Sequence, residues 1–197
     1  MTKRLGVIAA VLLFAANGLY AEFLFGFETG LVFSGYNDVG IPGDTGTRFS
    51  LHDDLDPESS AFFRARLGYV FGGRHTVSLL VAPFSMDYSG TLDTTLDFAG
   101  KTFSSGTKVD AVYRFDSYRV SYRWDFLKEK IFDAGIGLTG KIRDAEISLD
   151  GGGTKASKAN IGFVPLINFR LALRPQKRIA FLLEGDALAA PQGRAED

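Results

Sequence analysis

The chain contains no cysteine. That excludes a disulfide framework, a thiolate nucleophile and any cysteine-ligated metal site. It also lacks an excess of either charge: 22 Lys and Arg stand against 23 Asp and Glu, a formal net charge of −1. Nucleic-acid binding calls for a basic surface, so that class of partner is excluded from the reading. Histidine is scarce, with only His52 and His75 available as general bases. No apolar run is long enough for a membrane-spanning helix, which needs about 20 residues. What is abundant is glycine, 23 of 197 residues, and aromatic side chains, 13%. Both suit a β-rich chain of one domain, whether a soluble sandwich or a membrane barrel, so composition leaves the two open.

The N-terminus reads as an address. Lys3 and Arg4 form a basic start, and Leu5 to Ala16 is apolar apart from Gly6. This is the length of a signal-peptide core. Small residues follow, with cleavage expected after Gly18 or, preferentially, after Ala21. Residues 1–21 are therefore expected to be a signal peptide and 22–197 a single β-barrel domain.

From residue 22 onward the hydrophobicity alternates with the strand period of two. Phe23, Phe25, Phe27, Leu31 and Phe33 share one face, and Gly26, Glu28 and Gly30 the other. Ala61 to Phe71 alternates against Arg64, Arg66 and Gly68, and Val77, Leu79 and Val81 against Thr76 and Ser78. Tyr118, Val120, Tyr122, Trp124 and Phe126 oppose Arg119, Ser121, Arg123 and Asp125. Upstream, Val109, Ala111, Tyr113 and Phe115 are apolar at odd positions, a phase flip that predicts a β-bulge near Asp116. Phe132 to Ile142 opposes Asp133, Lys141 and Arg143; Ile161 to Leu171 opposes Asn168 and Arg170, with Pro165 interrupting; Ile179 to Leu183 opposes Glu184 and Asp186.

Alternation alone does not separate a sandwich, apolar face inward, from a membrane barrel, apolar face toward lipid. Three features favour the barrel, one of them the signal peptide, which supplies an export route. Turns around Gly72–Gly73, Lys128–Glu129 and Pro175–Lys177 are short, whereas 37–59, 88–107 and 143–158 read as long polar loops, the parity of outer-membrane barrels. Aromatic residues sit at strand ends beside the short turns: Phe23, Phe25, Tyr69, Phe71, Trp124 and Phe126. The expected fold is all-β, an antiparallel up-and-down transmembrane β-barrel. About eight strands are expected and seven are legible. The polar stretch from Leu188 to Asp197 reads as the start of another outer loop, so the last strand is expected to be missing and the chain truncated at its C-terminus.

The alternating strands, with Tyr118–Phe126 and Phe132–Arg143 as the clearest, and their short-turn, long-loop parity resemble the small, eight-stranded OmpA/OmpX-type outer-membrane barrels. The resemblance covers most of residues 22–197 and contains no family-specific motif. It implies a fold and a bacterial outer-membrane location, with no catalytic role to carry over.

The candidate site is the charged set on the inward face. Arg64, Arg66, Arg119, Arg123, Lys141, Arg143 and Arg170 lie there with Glu28, Asp125, Asp133, Glu184 and Asp186. An eight-stranded interior is filled by its side chains, so opposite charges are expected to pair into a plug. The functional alternative is an arginine-rich cup or narrow pore for a small anion. A lipid A-modifying enzyme is a third reading. Ser50, His52 and Asp54 would share a face, in the order nucleophile, base, orienter, if that loop were extended. His75 and Ser78 would point to opposite faces. Asp53, Asp54, Asp56 and Glu58 read as a solvated acidic loop without calcium-loop spacing, and Gly151–Gly153 as a flexible loop tip. The expectation is therefore a structural or surface-interaction barrel, not an enzyme, with no cofactor and no metal. Its partners would be outer-membrane lipid and lipopolysaccharide, with a surface partner met through the long loops, and it would be a monomer.

Overall fold

The computed structural model describes residues 10–16, 21–41 and 47–188. Lys3, Arg4, Gly18 and the stretch 189–197, which carry the leader and outer-loop expectations, lie outside them. Among the described residues there is no helix. The strands are β1 (Ala10–Ala16), β2 (Ala21–Val32), β3 (Asp38–Val39), β4 (Phe49–Ser50), β5 (Asp56–Pro57), β6 (Ser60–Phe71), β7 (His75–Ala82), β8 (Ser85–Thr91), β9 (Leu96–Phe98), β10 (Lys101–Phe103), β11 (Lys108–Lys128), β12 (Phe132–Gly151), β13 (Thr154–Gln176) and β14 (Ile179–Ala187).

The main sheet runs β1-β2-β6-β7-β11-β12-β13-β14, every ladder antiparallel. The seven expected strands correspond to β2, β6, β7 continued by β8, β11, β12, β13 and β14. The sheet curls: Arg66 on β6 is paired with Glu184 on β14, across four intervening strands. The result is half-barrel-like, with a concave and a convex face. Residues Ala10–Ala16, read above as part of a leader, form β1 along the free side of β2, from Ala10 opposite Thr29 to Ala16 opposite Phe23. Among the described residues no ladder joins β1 to β14.

Turn chemistry explains the tight hairpins. Gly72 and Gly73 have φ of 58° and 68°, and Gly152 and Gly153 of 58° and 76°. This left-handed region suits glycine because it has no Cβ, and paired positive φ values match the twist of two-residue hairpins. The Gly151–Gly153 run is therefore a tight turn, not a flexible tip. Nor is 143–158 a loop: β12 and β13 stay paired from Phe132 opposite Leu173 up to Gly151 opposite Thr154. Among the described residues Pro165 is laddered only to β12, opposite Gly140, the one-sided setting in which a strand tolerates proline.

The expected bulge at Asp116 is absent. β11 and β12 hold one register from Val109 opposite Gly151 to Trp124 opposite Ile136, and the shift falls between Trp124 and Leu127. From Val109 to Arg123 the odd residues of β11 face the concave side. What flips at Asp116 is the chemistry of the two faces. Below it, Tyr118, Val120, Tyr122 and Trp124 are exposed on the convex side. Above it, Val109 and Ala111 are buried on the concave side, and Lys108, Asp110 and Val112 face out.

A hydrophobic core explains the inverted half. Val109, Ala111, Met86, Tyr88 and Leu149 of the sheet pack with Val39, Phe49, Leu51, Leu55, Leu92, Leu96, Phe98 and Phe103. The described parts of the first two expected loops, 37–41 with 47–59 and 88–107, are thus not simply polar loops. They are pinned by the small β3–β4 and β9–β10 ladders and by β5 on β8, and they fold over one end of the half-barrel. Gly90 makes room for this cap, since a Cβ there would meet Leu55 Cδ2 at 2.9 Å.

Candidate functional site

The concave face below the cap is charged because β2, β6, β11, β12, β13 and β14 each direct alternate residues into it. Two acidic residues of β14 organise it. Glu184 receives Arg123 Nη1 at 3.1 Å and Arg170 Nη1 at 3.5 Å, and is also bonded to Arg66 Nη1. Asp186 accepts from Arg119 Nη1 at 2.8 Å, Thr139 Oγ1 at 2.7 Å and Asn168 Nδ2 at 2.9 Å. Arg123 divides its guanidinium between Glu184 and Asp125, with Nε 2.9 Å from Asp125 Oδ1. A carboxylate with three charge-assisted donors is well compensated for leaving water.

The remaining expected residues lie on the same face in smaller groups. Arg64 Nη1 is 3.2 Å from Glu28 Oε2 on the neighbouring strand. Lys141 is buried, with Nζ 5.4 Å from the centroid of the Phe115 ring. Arg143 lies opposite Ser117 on the same side. Asp133 is paired with Arg174 Nη2 at 2.6 Å. Sequence reasoning missed Arg174 because the pattern of its strand was followed only to Leu171. Its parity with Asn168 and Arg170 was the available signal. Alternation puts Asn168 on the polar face, but its convergence with Thr139 on Asp186 comes from three strands meeting and has no trace in spacing.

Glycines shape the site. Gly135 and Gly137 face the concave side, and a Cβ on Gly135 would meet Asp125 Oδ1 at 2.3 Å and Arg123 Cδ at 3.1 Å. Their lack of side chains provides the slot in which the Arg123–Asp125 pair lies. The Glu28–Arg64 pair contrasts with this, since both side chains are about one-third exposed, at 27% and 36%. Exposed pairs contribute little. Glu28→Gln is expected to lower stability by less than about 1 kcal/mol, as measured by the urea unfolding midpoint.

The serine–histidine–aspartate arrangement does not form. Residues 51–54 make a turn, closed by the Asp54 amide donating to the Ser50 carbonyl at 3.0 Å. Asp54 Oδ2 accepts from the Ser50 amide and Ser50 Oγ from the Asp53 amide, so both side chains serve the turn. His52 instead lies 3.9 Å from Asp53. His75 belongs to an aromatic stack, with its ring centroid 5.3 Å from Phe71 and 6.0 Å from Tyr122, and Nδ1 2.8 Å from the Tyr122 hydroxyl. The stack continues through Tyr69 to Phe23. Among the described residues no group of three His, Asp or Glu side chains could hold a metal.

On the convex side, just above the apolar stretch, Arg114 bonds Asp116 at 2.8 Å, Asp144 at 3.0 and 3.2 Å, and Glu146 at 3.2 Å. Asp144 first, then Asp116 and Glu146, hold this guanidinium even more firmly protonated than usual. No protein-family model, curated protein or solved structure matches the chain.

Proposed function

We propose that the chain is a membrane-embedded β-barrel of the bacterial outer membrane, plugged by its own charges, with a structural or surface-interaction role and no catalysis. One observation carries the reading: neighbouring strands exchange the chemistry of their faces close to one rung, β13 two residues beyond β11 and β12, since Ile161 lies opposite Asp144. On β11 the convex side changes from Tyr118 to Asp116. On β12 it changes from Ile142 to Asp144, the residue directly opposite Asp116. On β13, Phe163 and Ile161 give way to Ala159, Ser157 and Lys155. The concave side changes the other way, from Lys141 and Arg143 to Ile147 and Leu149. The cap accounts for the change on the concave side, but nothing among the described residues covers the convex side, where a soluble sheet would gain nothing from exchanging exposed apolar residues for charged ones. A sheet that leaves hydrocarbon for water gains by it.

The dimensions agree. Tyr118 to Phe126 extends about 26 Å along the strand at about 3.3 Å per residue. A tilt near 40° turns that into about 20 Å of height, comparable to the apolar band of outer-membrane barrels. Phe23, Tyr69, Phe71, Trp124 and Phe126 supply an aromatic belt at one end, where rings sit between apolar chains and headgroups. The cross-sheet ion pairs and the apolar cap favour a filled interior over an anion pore.

The single tryptophan gives the test. Trp124 is 47% exposed on the convex side. In vesicles of phospholipid brominated near the top of the acyl chains, its fluorescence is expected to fall by about half or more, with weaker quenching by deeper bromines. Emission at the wavelength of water-exposed indole, unaffected by either lipid, would sink the reading.

A further inference from the structure

The two ends of the curled sheet carry opposite charge, although the whole chain is nearly neutral. At the short-turn end, the turns 72–74, 128–131 and 174–178 hold Arg74, Lys128, Lys130, Arg174, Lys177 and Arg178 against a single acid, Glu129. At the capped end the balance reverses: residues 37–59 contain Asp38, Asp44, Asp53, Asp54, Asp56 and Glu58 against Arg48 alone. Arg174 is committed to Asp133. Arg74 and Lys128 tie neighbouring turns together, Arg74 Nη1 donating to the Phe126 carbonyl at 3.0 Å and Lys128 Nζ to the Gly73 carbonyl at 2.8 Å. Those bonds are to neutral carbonyls, which leave the charge of Arg74 uncompensated, while Lys128 also lies directly opposite Asp133. Lys130, Lys177 and Arg178 are exposed and have no acidic partner among the described residues.

Position says what these charges can meet. Arg74 lies three residues beyond Phe71, Lys128 two beyond Phe126, and Arg178 directly before Ile179, whose side chain is exposed. The basic residues thus form a collar immediately outside the aromatic belt. That is the height of lipid headgroups if the belt marks the hydrocarbon boundary, and long basic side chains there can keep their stems on apolar surface and their charge at the phosphates. We propose that this collar docks anionic phospholipid headgroups of the leaflet around the short-turn end. The inference rests on the membrane-embedded reading and adds to it a lipid preference and an orientation: the basic end seats in an anionic phospholipid leaflet, and the acidic cap faces away.

Electron spin resonance of spin-labelled lipid tests both and separates them. The full chain is reconstituted in phosphatidylcholine vesicles containing either labelled phosphatidylglycerol or labelled phosphatidylcholine, and the motionally restricted fraction is compared. Each basic residue that reaches the headgroups is expected to favour phosphatidylglycerol about fivefold at low salt, with the preference fading in 1 M salt. It is expected to fall by more than about tenfold in the Lys130→Gln, Lys177→Gln, Arg178→Gln triple variant, which leaves Arg74 and Lys128, and to persist undiminished in the Asp53→Asn, Asp56→Asn, Glu58→Gln variant of the opposite end. Restricted lipid without any phosphatidylglycerol preference, or a preference undiminished in the basic-collar variant, overturns the collar and leaves the membrane reading standing. Absence of restricted lipid of either kind overturns the membrane reading, and the collar with it.

Discussion

Glu184→Gln is expected to destabilise the protein by about 3 kcal/mol, several times the effect of Glu28→Gln. Glutamine keeps the shape and one acceptor but removes the charge on which Arg66, Arg123 and Arg170 converge. Arg123 is largely buried, at 8% side-chain exposure, whereas Arg66 is 40% exposed and can turn to solvent. The loss should therefore sit at the lower end of what is found when a buried pair is broken. The measurement is urea unfolding of the lipid- or detergent-reconstituted protein, comparing midpoints at constant slope. A second substitution, Arg66→Met in the Glu184→Gln background, should return part of the loss by relieving like-charge repulsion. A loss below about 1 kcal/mol would show that the guanidinium groups are already hydrated and that Glu184 is not the keystone of the concave face.

Gly137→Val is expected to be worse, at about 4 kcal/mol or more, or to prevent folding. A Cβ at this position would overlap the Tyr122 carbonyl oxygen and lie 2.7 Å from Arg123 Cα. Both are backbone atoms of a strand paired with β12 on one side and β7 on the other. No rotamer change can relieve that contact, so the two strands must separate where Arg123 enters the ion-pair network. Gly26→Ala is the control, because its nearest neighbour would be Arg66 Cβ at an ordinary 3.6 Å, and it should cost under about 1 kcal/mol. Comparable losses for the two glycines in the same unfolding experiment would mean that β11 and β12 are further apart at this rung than their register implies.

How far the chain could be read beforehand depended on what alternation encodes. A period of two assigns residues to faces, and for β2, β6, β7, β12 and β14 it did so correctly. It does not say what lies beyond each face. At Asp116 the apolar residues change from even to odd positions, which reads as a bulge only if the surroundings are assumed constant along the strand. The backbone continues without a shift, and the surroundings change instead. The cap was missed for a related reason. Leu51, Leu55, Leu92 and Leu96 are single apolar residues scattered among polar ones, and no local period marks them as a core. Pairings between neighbouring strands, such as Glu28 with Arg64, follow from parity and register. The convergence of Arg66 and Arg170 on Glu184 depends on the curl of the whole sheet, which no window of sequence contains.

The rung at Asp116 and Asp144 has a further consequence under the membrane reading. Sliding the barrel by two residues along its strands in one direction would draw these carboxylates and Arg114 into hydrocarbon. Sliding it in the other would lift Tyr118 and Ile142 into water. Either displacement is penalised on several strands at once, and side-chain rotation alone cannot relieve it. The rung therefore acts as a waterline. It fixes the depth of immersion as firmly as hydrogen bonding fixes register, and it would hold the cap clear of the bilayer without any anchor outside the barrel.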